Sequence, residues 1–541
     1  MLFNSISFIC IFLPITLLCF YFLGAIRPQF AMAWLGIASL IFYSWLGTSY
    51  LPLLVVSITF NYAIGLALAK VSSSDRLSYG LLIFGVSANL LVLVNYKYLF
   101  DLTSWTRAHG LAVAQVGSPL LPLGISFFTF TQVGFLIDRR AGVTKAGNLI
   151  EYLLFVSFFP HLIAGPILHH REIMPQFRDE KTYTFNKANF GLGLSIFSVG
   201  FAKKVLIADW FGSFVPSAFD HPYNLTRPEA WHCVLSYFLQ LYFDFSGYSE
   251  MALGLARMFN VTFPANFDSP YKAPNVIEFW QRWHMSLTRY VNLYIFNPIA
   301  LAITRRRYGR GKPANAAALR TPGGFASMLV IPTIVTMILI GVWHGSGLQF
   351  FAFGLLHGFY LCIAHAWRLL RRNNLMECHS GRLRNVSHVF SVLLTCLAVL
   401  FAQVYFRAHS VENANSVIGA MTFLPTASPA HFLTDASQQV AWGHSDATPP
   451  GELIHLLFRV SVEQLKSWGP ILLGLLFVWT LPNVLQLFAT ESPALVKSRA
   501  QSALIPIEWR PSPWSGVLLG LLFLFTFMCV TGTTEFLYFR F

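Results

Sequence analysis

The chain has 541 residues, of which 55% are hydrophobic, 16% aromatic and only 11% charged, under half the charged share of about 25% in soluble proteins. That balance excludes a soluble enzyme. The net charge of +14, from 37 basic and 23 acidic side chains, is concentrated in short loops between apolar runs, as the positive-inside rule places it, so no nucleic-acid partner is implied.

Runs of about 20 apolar residues recur along the whole length. They predict an all-α, polytopic membrane protein: one integral domain over 1–541, with about 11–14 crossings. The opening Met1-Leu2-Phe3-Asn4-Ser5 has no basic region and no cleavage site follows, so Ile6 to Ile26 reads as a retained first span. Further spans are expected near 31–47, 51–69, 79–99 and 119–137. Their separators carry Arg27, Lys70, Arg76, Arg107, Arg139, Arg140 and Lys145.

The run Glu151 to Leu168 contains Pro160, His161, Gly165 and Pro166. Prolines and a histidine inside a run of span length predict a broken or re-entrant helix facing protein or water. A polar loop follows, His169 to Asn189, then apolar runs Phe190 to Asp209 and Trp231 to Ala256. Residues 257–290 are the least hydrophobic part of the middle, and 291–303 is a short apolar piece. Two basic loops flank the next pair of spans. One holds Arg305, Arg306, Arg307, Arg310, Lys312 and Arg320; the other holds Arg368, Arg371, Arg372, Arg382 and Arg384 against Glu377. If both are cytoplasmic, 323–342 and 347–367 form a hairpin whose turn faces outward, and the N-terminus lies outside. Later spans are expected near 386–406, 469–489 and 514–531, and the acidic stretch 407–466 is expected to be an extracytoplasmic loop. The seven cysteines lie mostly in apolar runs without ligand spacing and read as packing residues.

Three stretches carry chemistry. Gly341-Val342-Trp343-His344-Gly345-Ser346-Gly347 puts an ionisable side chain at a glycine-flanked break between two spans. Hydrocarbon satisfies no polar group, so His344 must be solvated, paired or used; bonding to backbone carbonyls freed by the break is the bland alternative. In Pro274 to Leu287, Asn275 and Glu278 have capping-box spacing, Glu278 and Arg282 can pair at i,i+4, and Trp280, His284 and Leu287 share one helical face. From the residues alone, an interfacial helix with a tryptophan belt and a structurally bonded histidine is the favoured reading. In Leu239 to Glu250, Gln240, Asp244 and Tyr248 form an inward polar stripe, either catalytic or a clamp between helices. His357 and His365 read as packing or interface residues. His169-His170 has no second ligand pair, and no His-Glu-x-x-His pattern occurs, so no metal is expected. The chain also lacks a phosphate loop, a dinucleotide fingerprint and a Gly-x-Ser-x-Gly elbow.

The segments Phe159 to Pro166, Leu241 to Tyr248, Glu278 to Leu287 and Gly341 to Gly345 resemble, in order, the motif series of the membrane-bound O-acyltransferases. The opening Phe12-Leu13-Pro14 and the ending Glu535 to Phe541 are similar to the bacterial alginate O-acetylation branch. The resemblance implies broken helices around a tunnel, with 257–290 and 341–347 as active-site segments. There a cytoplasmic thioester donor, acetyl-CoA, meets an acceptor from the other side, with no bound cofactor. By motif match His344 is the essential histidine and His284 the second. Asp244, Tyr242, Trp280, Arg282, Trp283, Trp343 and His161 are expected to support or line the tunnel. The resemblance further implies a bacterial inner-membrane enzyme that acetylates an extracytoplasmic polysaccharide, with or without a periplasmic acetyltransferase partner. One departure weakens alginate as that acceptor. Many relatives continue with an Arg-Asp-Tyr-Leu-Tyr-Ile-Pro-Leu-Gly-Gly-like segment, where this chain reads Tyr290-Val291-Asn292-Leu293-Tyr294-Ile295-Phe296-Asn297-Pro298-Ile299. A multi-span transporter and a non-catalytic scaffold of a secretion complex are the rival readings.

Overall fold

The computed structural model describes residues 1–45, 47–108, 121–144, 147–223, 225–373, 381–422, 468–500, 503–530, 532 and 536–537. Among these residues every regular element is helical. The architecture is organised around one 32-residue helix, Arg227–Met258. Its start follows from sequence: Pro228 stands in the first turn, where no amide partner is needed, and the Glu229 carboxylate accepts from Thr226 N at 2.9 Å. From Ser236 to Ala256 all but Gln240 are buried.

The helical stretch Lys187–Gly212 lies along this central helix with backbones touching. A Cβ at Gly200 would stand 2.6 Å from Gly247 O, and one at Gly254 would stand 2.5 Å from Gly193 O. Small residues therefore set the approach, as in membrane helix pairs. The same contact buries two ion pairs, Lys203 with Glu250 and Lys204 with Asp244, both at 2.6 Å.

Among the described residues, seven helices are long and apolar enough to cross a membrane: Phe8–Ile26, Thr48–Lys70, Arg76–Lys97, Lys187–Gly212, Pro322–His344, Leu348–Leu370 and Asn385–Arg407. Trp468–Thr480 and Pro513–Met528 are apolar but shorter. The expected count of about 11–14 is not reached by length and apolarity alone. The central helix shows a physical reason: enclosed by protein, it needs no lipid-compatible face.

Several elements differ from expectation. The run after Glu151 is broken, as its prolines predict: Leu149–Ser157 ends at Phe158, a single turn Phe159–Leu162 follows, and nearly every residue from Glu151 to Leu168 is buried. The expected start of a helix after Asn275 is present, with the Asn275 side chain accepting from Glu278 N at 2.9 Å. That helix, however, ends at Arg282. Trp283 is extended, His284 is left-handed (φ 42°), and a second helix starts at Met285. The apolar piece 291–303 is not separate. Met285–Val291 passes through a π-turn, Asn292–Phe296, into Asn297–Gly309, which carries Arg305 to Arg307. Part of the stretch read as a loop is helical: Val411–Thr422 packs on the central helix, and Trp231 Nε1 donates to Met421 O at 3.1 Å. Lys145, Cys378, the side chains of 371–384, residues 423–466, Glu535 and 538–541 lie outside the described residues.

Candidate functional site

Pro322–His344 and Leu348–Leu370 form the expected hairpin. A Cβ on Gly341 would fall 2.2 Å from Phe350 O, and one on Gly354 would fall 2.4 Å from Met337 O. Only glycine allows this crossing. The first helix stops at His344, leaving carbonyls without intrahelical partners. They are capped from the end of Arg76–Lys97: Tyr98 Oη donates to Val342 O at 2.7 Å, and the Lys97 ammonium donates to Trp343 O. A cation there also suits the negative end of the helix dipole. The His344 ring is 6% exposed and packs against Trp343, Phe406 and Phe353, with centroids 4.6, 4.8 and 6.2 Å away.

His284 reaches the same region because its left-handed backbone turns the chain between two short helices. Hydrogen-bond bookkeeping assigns its tautomer. Asn266 Oδ1 accepts from Ser286 N at 3.3 Å and from Ser286 Oγ at 2.6 Å, which identifies that atom as the oxygen. His284 Nδ1, 3.3 Å from the same oxygen, must carry a proton, leaving the lone pair on Nε2. Ser286 Oγ in turn accepts from Ile167 N at 2.9 Å, tying the broken Pro160 segment to the histidine turn.

His284 and His344 line one cavity together with Trp280, Trp283, Leu287, Phe245, Phe353 and Gln403. The three residues expected on one helical face, Trp280, His284 and Leu287, do meet there, across a helix break and not along a continuous helix. A third histidine, His357, lines the same cavity. It is 1% exposed, and Trp280 Nε1 donates to its Nδ1 at 3.2 Å. A second cavity also touches His344 and is lined by Lys97, Gly124, Ser126, Ile163 and Trp343. His344 is common to both.

The remaining expected residues separate into groups. Trp343 lines the second cavity and stacks on Phe130 at 5.2 Å. Arg282 pairs with Glu278 at 2.8 Å and stays with its own helix. Tyr242 is buried among Phe243, Phe267 and Tyr271. Asp244 is held by Lys204 and by Leu537 N at 2.9 Å, so its carboxylate fastens helices and the C-terminal segment. His161 sits edge-on to Phe263, and its Nε2 has no hydrogen-bond partner among the described residues. Of the first basic loop, Arg307 is spent on Pro313 O, Gly323 O and Ser327 Oγ, while Arg305, Arg306, Arg310 and Lys312 are exposed.

Sequence reasoning read His357 as a packing or interface residue, and it passed over Asn266 and Lys97. The low hydropathy of 257–290 pointed towards Asn266, but no spacing rule links it to His284. His169-His170 also gains a neighbour that sequence did not supply: Asp138 Oδ2 lies 3.1 Å from His169 Nε2.

A helical membrane protein that gathers buried imidazoles around an enclosed, largely apolar chamber is built as a membrane-embedded enzyme. Residues 40–308 match the family described as MBOAT, membrane-bound O-acyltransferase. The chain is 33% identical to the peptidoglycan O-acetyltransferase of Helicobacter pylori, an alignment covering 100% of this chain and 98% of that one. It is 35% identical to the probable alginate O-acetylase of Azotobacter vinelandii, over 78% of each chain. The teichoic acid D-alanyltransferase of Streptococcus thermophilus is 29% identical over 45% of this chain and 57% of its own length. The chain belongs to the membrane-bound O-acyltransferase family and is a multi-pass O-acyltransferase.

Proposed function

We propose that the protein moves an acetyl group from acetyl-CoA to hydroxyls of an extracytoplasmic glycan, with His344 as general base, in a bacterial inner membrane. The observation that carries this reading is the position of His344, shared by two cavities whose other lining residues do not overlap. In the reaction, an acceptor hydroxyl oxygen attacks the thioester carbonyl while His344 takes its proton; the C–S bond then breaks and the proton passes to the departing thiolate. The Nε2–H tautomer of His357, set by Trp280, offers a donor to the carbonyl oxygen as charge develops on it, and the His284 lone pair accepts from a donor or acceptor hydroxyl. The apolar aromatic walls keep water from the thioester.

Full-length similarity to a peptidoglycan O-acetyltransferase, against partial coverage by the alginate enzymes, favours a cell-wall glycan as acceptor. In a strain lacking the native gene, His344→Ala at matched protein level is expected to abolish O-acetylation of isolated peptidoglycan. Undiminished acetylation of both wall glycan and exopolysaccharide overturns the role. Acetyl-CoA turnover by the purified wild type separates this enzyme from a transporter, which would move solute without consuming the thioester. It also separates it from a scaffold, in which His284 and His344 are both dispensable.

A further inference from the structure

Away from the cavities, the end of helix Ile125–Arg140 meets the start of His170–Arg178 and the π-turn Asn292–Phe296. Asp138, His169 and His170 converge there, each offering one ligand atom, with all three atoms within 4.8 Å of one another. Asp138 Oδ2 stands 3.1 Å from His169 Nε2 and 3.7 Å from His170 Nδ1. These separations bracket about 3.3 Å, the edge of a tetrahedron with metal–ligand bonds of about 2.05 Å. Tyr294 Oη donates to Asp138 Oδ2 at 2.7 Å and lies 3.1 Å from His169 Nε2.

His170 is the residue that a hydrogen-bond account leaves unexplained. It is 3% exposed and set edge-on against Phe135 and Phe155. Its Nε2 has no partner among the described residues, and the 3.7 Å from Nδ1 to Asp138 is too long for a hydrogen bond. The cation would sit between Nδ1, His169 Nε2 and Asp138 Oδ2 and bind the Nδ1 face of the ring.

We propose that Asp138, His169 and His170 form a divalent-cation site of the zinc class, with the Tyr294 hydroxyl bonded to the ligating carboxylate oxygen. Two imidazoles and one carboxylate select a borderline transition ion; calcium and magnesium need more oxygen ligands than this cluster has. The nearby cations are engaged or turned outward. Arg139 donates to Gly65 O and Thr144 O, Arg289 pairs with Glu172 at 2.6 Å, and Arg171 is exposed. The site would pin three chain segments together. From Tyr294 an aromatic column runs through Tyr290 and Phe130 to Trp343, with centroid spacings of 4.7, 4.9 and 5.2 Å, ending next to His344.

The test is metal content, which stands independently of the acyl-transfer reading. Full-length protein is purified in detergent through a tag without histidines, stripped with a chelator, incubated with Zn²⁺ and freed of excess by gel filtration. Elemental analysis is expected to find about one Zn²⁺ per chain. His170→Asn and Asp138→Asn should each retain at least about tenfold less, and His365→Asn should match wild type. Added Zn²⁺ should raise the melting temperature of wild type and not of the two variants. Wild type that retains no zinc above the detergent blank overturns the site, whatever the variants do. Retention unchanged by both substitutions overturns the assignment of ligands.

Discussion

Trp280 Nε1 donates to His357 Nδ1 across 3.2 Å, and that bond decides which nitrogen of His357 can face the cavity. An indole N–H only donates, so Nδ1 must accept and Nε2 must carry the proton. Phe279, Phe353 and Tyr360 pack on the ring, which lines the cavity beside His284 and His344.

His357→Phe is therefore expected to lower kcat for acetyl transfer by about 10²-fold, the scale of one lost donor to a developing oxyanion. KM should change little. His357→Gln, which can keep an N–H in the cavity, should recover part of the loss. Equal loss in both variants, with melting temperature unchanged, would show that shape and not the N–H matters.

Asn266→Ala removes the oxygen that holds the proton on His284 Nδ1. The ring can then adopt the other tautomer, and the lone pair leaves the Nε2 side. The expected outcome is a fall in kcat of about 10²-fold with protein yield near wild type, read from steady-state acetyl-CoA consumption. A variant that loses yield in proportion to activity would assign Asn266 to folding alone, through its bonds to Ser249 and Ser286.

Asp244 is expected to act on stability. Removing it leaves Lys204 buried with Asp209 as its remaining carboxylate, 2.7 Å away. Asp244→Ala should cost about 3 kcal/mol, the low end for breaking a buried ion pair. Lys204→Met added to Asp244→Leu should restore much of the lost melting temperature in detergent, because the buried ammonium is gone and Asp209, which loses the same partner, is partly exposed. A double variant no more stable than the single one contradicts the pairing.

At Gly341 the constraint is backbone contact. Gly341→Ala drives a methyl towards Phe350 O, which cannot move without separating the hairpin. Activity and melting temperature should both fall. Gly323→Ala, where nothing lies within 4 Å, should be neutral in both assays.

Much of the local structure was legible in residue order. The caps at Asn275 and Thr226, the proline break after Phe158 and the hairpin around His344 follow from rules that act within a few residues. The turn at Trp283–His284 was not legible. The spacing of Trp280, His284 and Leu287 fits one helix, and the competing term is a bond to Asn266, outside any local window.

Residue order alone determined the class of the protein, the break at His344 and the motif series that marks the family, because apolar run length, proline and glycine act locally. Tertiary structure decided which histidines meet. Its contacts placed His357 in the cavity, set two tautomers through Trp280 and Asn266, gave Asp244 to Lys204, and brought Asp138 to His169 and His170. Each of those outcomes depends on hydrogen bonds or charges between side chains far apart in the chain, and their geometry exists only once the helices have packed.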